Sequence, residues 1–190
     1  MNPSETNTEM SASGELTRIT FNLKTRKVSS TSFPNGIDNE LARYVNHIDF
    51  PAINEAYRGK KVKNPHYLDI MFVSTLHLHL QYCVIYGWSS YDYSRIGLVK
   101  KNVCDHTQDQ VLYQENHYAS EMWFIAHPEA KSEDDGVLVS ITYDGEKEKS
   151  YFVVIDALTF TEIDRAYLPH AIPWSAHGMH FPEAKWTLSN

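Results

Sequence analysis

Residues 137–156 read VLVSITYDGEKEKSYFVVID, and this stretch decides the fold class. Its first seven residues, from Val137 to Tyr143, are dominated by β-branched and aromatic side chains. The Asp144-Gly145 pair that follows favours a hairpin turn, because both residues tolerate positive φ. Residues 150–156 (SYFVVID) return with the same composition, a short turn occupies 157–161, and 162–168 reads as a third strand. Strands spaced about a dozen residues apart make an antiparallel meander, with 122–126 (MWFIA) as a fourth member. The same period of two holds near the amino terminus. Leu16, Ile19, Phe21 and Leu23 precede a Lys-Thr-Arg-Lys turn, and Val28 begins a second run. Long helical periodicity is absent, so the sequence predicts an all-β sheet protein.

Composition narrows the function classes. The chain has 24 acidic against 17 basic side chains, a formal charge of -7, which excludes a phosphate-binding surface and so a nucleic-acid partner. Hydrophobic residues at 42% and charged residues at 22% make a globular chain rather than a disordered one. Two cysteines, Cys83 and Cys104, exclude a disulfide scaffold and a Cys-based zinc site, and suit a reducing compartment. Residues 1–14 (MNPSETNTEMSASG) lack Lys, Arg and any apolar run, so they read as a disordered polar leader without a targeting address, and residues 183–190 as a tail. The location expected is cytoplasmic. Residues 67–86 (YLDIMFVSTLHLHLQYCVIY) have the length of a membrane span, but Asp69, His77, His79 and Gln81 interrupt the apolar run.

The chain carries no Gly-rich phosphate loop, nucleophile elbow or His-Glu-x-x-His helix. Two histidine pairs remain. His77 and His79 share one face of a strand, a spacing that metal sites use but that also arises readily among ten histidines. His177 and His180 lie in a terminal segment with Trp174, Gly178 and Phe181, and spacing alone reads them as a packed end-strand.

Several segments carry a resemblance as an ordered set. They are Ser120-Glu121 before an apolar strand, His127-Pro128-Glu129-Ala130, and residues 133–138 (EDDGVL). Val154-Ile155-Asp156-Ala157, residues 162–166, and Ile172-Pro173 with His177-Gly178 complete the set. Together they resemble the carboxy-terminal part of the carotenoid cleavage oxygenases, most of all the animal branch of β-carotene oxygenases and the retinoid isomerohydrolase of the visual cycle. Asp49-Phe50-Pro51-x-Ile53-Asn54 is similar to that family's acidic-Phe-Pro-x-Ile-Asn segment, and residues 16–27 to the strand before it.

The resemblance implies a seven-bladed β-propeller with a non-haem ferrous iron on its axis, held by four histidines that glutamates orient. It implies a carotenoid or retinoid substrate, dioxygen as co-substrate, oxidative cleavage of a polyene double bond into carbonyl products, and peripheral membrane contact of the full-length proteins. Imidazole suits iron, and a carboxylate on the other ring nitrogen fixes tautomer and direction. Position by position, His177 falls on the family's last iron-ligand histidine and Glu121 on an orienting glutamate. Asp49 falls on a second orienting glutamate, shortened by one methylene, and Met122 stands where the family has proline.

Two departures shape the expectations. Seven blades of about 40–45 residues need about 300 residues, so 190 residues make only the last blades of an incomplete ring, over 15–182. The family's other ligand histidines lie earlier, so iron is expected to be absent or weak in this chain. The second departure is an apolar stretch at about 64–84, expected to be a poorly ordered insertion whose His77 and His79 are not ligands. The alternative to a truncated iron-dependent oxygenase is a non-catalytic β-sheet fragment or binding remnant.

Overall fold

The computed structural model describes residues 16–45, 47–57, 67–73, 76–79, 83–92, 95–173 and 177–178. Strands dominate. β1 (Thr17–Asn22), β2 (Lys27–Ser32), β4 (Tyr67–Val73) and β5 (Leu76–His79) form one four-stranded antiparallel sheet in the order β2-β1-β4-β5. A second sheet joins β3 (Asp49–Ala52), β6 (Val84–Asp92), β7 (Arg95–Asn102) and β8 (Gln110–Leu112) in the order β3-β6-β7-β8. A third joins β9 (His117–Ala126), β10 (Gly136–Asp144), β11 (Lys149–Asp156) and β12 (Thr161–Tyr167) as a meander. These last four strands are the ones that alternation predicted. The single turn α1 (Ala42–Val45) is the only α-helix among the described residues, and no described helix is long and apolar enough to cross a membrane.

Three hairpins, β1–β2, β10–β11 and β11–β12, turn by one device. In each, an Asn or Asp ends the first strand, four residues loop out, and the last of the four takes a left-handed backbone: Arg26 (φ 56°), Glu148 (φ 53°) and Phe160 (φ 54°). The Asx side chain caps the loop. Asn22 Oδ1 accepts from the amides of Lys24 and Thr25 at 3.1 and 2.9 Å, Asp144 Oδ1 from those of Glu146 and Lys147 at 3.0 Å, and Asp156 Oδ1 from Thr159 at 2.7 Å. Positive φ therefore falls on Glu148, four residues after Asp144, rather than on the Asp144-Gly145 pair itself.

Asp144 does more than cap. It is 2% exposed, and its Oδ2 accepts from the Tyr167 hydroxyl at 2.7 Å and lies 3.6 Å from His117 Nε2. Burial alone would raise its pKa. The Tyr167 hydroxyl and the amides of Lys147 and Glu146 outweigh it and hold the carboxyl at about 2. A carboxyl depressed in the folded state contributes stability that is complete above its unfolded pKa and is lost as pH falls through the folded one. Urea midpoints are therefore expected to drop between about pH 4 and about pH 2 in the native chain and to drop less in Asp144→Asn. Parallel curves for the two proteins would remove Asp144 from the acid limb.

The middles of β6 and β7 are packed on both faces, in keeping with the apolar runs 84–88 (VIYGW) and 96–99 (IGLV). Val84, Tyr86 and Leu98 face the third sheet and pack with Met122, Leu138, Val153, Ile155 and Phe160. Ile85 and Val99 face the other way and join Leu16, Phe33, Tyr44, Ile48 and Ile53. Two adjacent lysines follow the same alternation. Lys100 reaches the third sheet, donating to the carbonyls of Ala157 and Leu158 at 2.8 and 2.7 Å and to Asp134 at 3.1 Å, while Lys101 points to the opposite side, to Asp109 and the Pro34 carbonyl.

The motif residues 133–136 latch the second and third sheets together. Glu133 accepts the amides of Cys83 and Val84, both at 2.8 Å, and its carbonyl accepts from Asn54 Nδ2 at 3.0 Å. Burial pushes the Glu133 carboxyl above its usual range despite those amides. A Cβ on Gly136 would lie 2.4 Å from the Ile125 carbonyl, so only glycine fits.

Within the stretch 64–84, the described residues form strands. β4 pairs with β1 from Thr17↔Phe72 to Asn22↔Tyr67, and β5 returns on β4 from Ile70↔His79 to Val73↔Leu76. Its mixed apolar and polar sequence is a strand pattern like that of its neighbours. One sequence reading changes: the cysteines, read as reduced thiols, are joined as a Cys83–Cys104 disulfide. Register brings them together: Val84 pairs with Asn102, and Val103 N donates to the Cys83 carbonyl at 2.7 Å. Closing this loop is worth about 3 kcal/mol in chain-entropy terms, so the guanidinium midpoint is expected to fall in dithiothreitol and in Cys104→Ser. An unchanged midpoint would show that the bond does not form in solution. The leader 1–14, the end of the 15–182 span, the tail 183–190 and the side chains of His77 and His79 lie outside the described residues.

Candidate metal centre

Both segments that carry the candidate carboxylates are β-bulges. On β9, Ala119 pairs with Thr142 and Met122 with Ser140, so Ser120 and Glu121 together oppose the single residue Ile141. Such a bulge re-aims a side chain, and Ser140 Oγ, 3.1 Å from the Ser120 carbonyl, satisfies the displaced oxygen. On β3, Asp49 pairs with Trp88 and Ala52 with Tyr86, so Phe50 and Pro51 oppose Gly87. Phe50 takes φ 47° and Pro51 has no amide to offer the ladder. Gly87 permits the approach: a Cβ there would lie 2.3 Å from Ile48 Cγ2 and 2.7 Å from the Asp49 carbonyl.

The bulges bring distant residues together. Glu121 Oε2 lies 3.3 Å from His177 Nδ1, and Glu121 Oε1 accepts from the Gly178 amide at 2.6 Å and from the Trp123 indole at 3.2 Å. The Phe50 ring stacks on Trp88 at 5.2 Å and meets the His177 ring edge-on at 5.0 Å. His177 is 78% exposed and Glu121 only 13%, so a fixed carboxylate holds an open imidazole. Asp49 sits beside this group, where its Oδ1 accepts from the Phe50 amide at 2.9 Å and supports the bulge.

The arrangement can orient one metal ligand. An imidazole whose Nδ1–H faces a carboxylate presents its Nε2 lone pair outward, the state a metal requires. The pair fits one ligand position of a histidine-bound iron. It does not make a complete site, since among the described residues no three of His, Cys, Asp and Glu converge to hold a metal. Sequence reading missed Trp123, Phe50 and the bulges. Trp123 had a signal, because residue i+2 on a strand shares the face of residue i.

Comparisons with known proteins agree with one another. The family model described as retinal pigment epithelial membrane protein matches residues 1–182. A carotenoid dioxygenase of Neurospora crassa is 32% identical over 140 residues, 71% of this chain and 22% of that protein. The β,β-carotene 15,15'-dioxygenase of Gallus gallus is 29% identical over 138 residues, 72% of this chain and 22% of its own length. The solved structure of a cobalt-substituted Synechocystis apocarotenoid oxygenase superposes with a TM-score of 0.59 at 20% identity, covering 87% of this chain and 30% of that one. This chain thus spans about a fifth of these curated relatives and shares its fold with part of a solved one.

Proposed function

Because the chain belongs to the retinal pigment epithelial membrane protein family, that of the carotenoid oxygenases, we propose that its sheets are consecutive blades of a seven-bladed β-propeller and that His177 is one of the imidazoles holding a ferrous iron. The activity proposed is oxidative cleavage of a carotenoid or retinoid double bond by dioxygen into two carbonyl products. The observation that carries it is the His177–Glu121 contact at 3.3 Å, with the carboxylate held from two further sides. That a solved neighbour sharing this fold is a cobalt-substituted enzyme is in keeping with a metal in such a protein. When bound, iron would supply activation of dioxygen.

The work of this chain's own residues is orientation. Glu121 fixes the His177 tautomer, the Gly178 amide ties the terminal segment to β9, and Phe50 with Trp88 gives the imidazole an apolar flank. The other imidazoles would come from blades beyond these 190 residues, as the length of the relatives allows. A second reading, a non-catalytic β-sheet fragment, is favoured by one observation: His177 is 78% exposed, and among the described residues no three metal-ligating side chains converge.

The test is the visible absorbance of a carotenoid incubated with iron and oxygen. This chain alone is expected to leave the absorbance unchanged, and a protein in which it is joined to the remaining blades is expected to bleach it only when oxygen is present. Absence of bleaching from the joined, iron-loaded protein would favour the non-catalytic reading.

A further inference from the structure

We propose that Trp123 is a positioning residue for His177, acting through the Glu121 carboxylate. Glu121 must meet three donors with two oxygens. The Gly178 amide at 2.6 Å and the Trp123 indole at 3.2 Å share Oε1, and this division turns Oε2 toward His177 Nδ1. Without the indole, Oε1 would keep one donor and the carboxylate could rotate about its last bond, offering either oxygen to either partner. The indole also shapes the chain that carries the histidine. A Cβ on Gly178 would lie 2.1 Å from Trp123 Cζ2 and 3.0 Å from Cη2, so the ring packs directly against the Gly178 backbone and glycine is required there. Trp123 thus acts twice, as a donor to the orienting carboxylate and as a wall against the residue next to His177.

The side chain sits on β9 two residues beyond Glu121, so one strand supplies both the carboxylate and its lock. A carboxylate held from several directions orients an imidazole better than one held from one side, and loss of such outer contacts typically costs about 10–100-fold in metal affinity. The consequence for a metal rests on the reading of His177 as a ligand. The orienting role does not.

The experiment separates the two. Imidazole nitrogen shifts of His177 are recorded by NMR in this chain, in Trp123→Phe and in Glu121→Ala, without metal and at a pH where the ring is neutral. Phenylalanine removes the N–H donor together with the outer indole ring whose Cζ2 and Cη2 pack on Gly178, so the donor role is read separately from exchange of the indole proton in the native chain. The native chain is expected to show the Nδ1–H tautomer, and both variants to lose its predominance. The Trp123 indole proton of the native chain is expected to exchange slowly with water, and quickly in Glu121→Ala. This second measurement stands even if Trp123→Phe does not fold. An unchanged His177 tautomer in folded Trp123→Phe, or a fast-exchanging indole proton in the native chain, overturns the proposal. Cobalt(II) is then titrated into the protein that joins this chain to the remaining blades: paramagnetic broadening of His177 that needs about tenfold more metal in Trp123→Phe supports the consequence for binding. Broadening of His177 absent from that joined protein without the substitution would sink the ligand reading and leave the positioning role intact.

Discussion

Lys101→Met is expected to destabilise the chain by about 3–5 kcal/mol, enough to unfold a marginally stable domain. Lys101 and Asp109 are both 0% exposed at the side chain and form an ion pair. The ammonium also donates to the Pro34 carbonyl, and Asp109 accepts the amides of Asn102 at 2.9 Å and Gly36 at 3.0 Å. These contacts tie β7 to the loop after β2 and to the turn before β8. Methionine follows the path of the lysine stem, so packing survives while the charge disappears. What remains is a buried carboxylate with amides but no counter-ion, and the desolvation of that charge is no longer offset. Asp109→Asn added to Lys101→Met should recover part of the loss, because the orphan charge goes too. Urea unfolding at constant m-value is the measurement. A single-mutant cost below about 1 kcal/mol would show that water or rearrangement solvates Asp109.

Lys100 offers an internal contrast. It is as buried as Lys101, but two backbone carbonyls share its charge and its acidic partner Asp134 is 14% exposed. Water can reach the carboxylate left by Lys100→Met. A smaller loss is expected there, spread along the seam between the second and third sheets.

The adjacent lysines also mark the limit of what the sequence discloses. The meander β9–β12 was legible because alternation of Val, Ile, Phe and Tyr is itself the signature of a half-buried strand. Lys100-Lys101 has no such signature. A pair of charged residues reads as a solvated edge, and only partners that the fold brings in, the carbonyls of Ala157, Leu158 and Pro34 with the carboxylates of Asp134 and Asp109, make burial on both faces tolerable. Bulges escape for a related reason: the two-against-one count at Ser120-Glu121 depends on the register with β10, which a single strand does not record. The disulfide lay beyond reach because two cysteines 21 residues apart become neighbours only once β6 and β7 pair at Val84↔Asn102. At the candidate site, resemblance supplied Glu121, His177 and Asp49. The geometry joins the first two and gives Asp49 a bond to the Phe50 amide that its side chain is short enough to make.

In a protein that joins this chain to the remaining blades, His177→Ala is expected to abolish stoichiometric iron, whereas this chain alone should hold well below one iron. The reasoning is additive in ligands. A lone imidazole does not compete with water and buffer for ferrous ion, because affinity comes from several preorganised donors acting together. His177 is 78% exposed and faces one carboxylate, so on the proposed reading its value as a ligand depends on what converges from other blades. Once they do, removing it opens the coordination sphere and leaves Glu121 without the ring it orients. Glu121→Gln should act more mildly, lowering iron affinity about 10–100-fold, since glutamine can still accept from Nδ1 but carries no charge to favour the donor tautomer. Metal analysis of purified, monodisperse protein reads all three effects. Stoichiometric iron in this chain that vanishes in His177→Ala would mean that copies of the chain complete the site between them. Iron retained without His177 in the joined protein would remove this residue from the metal altogether.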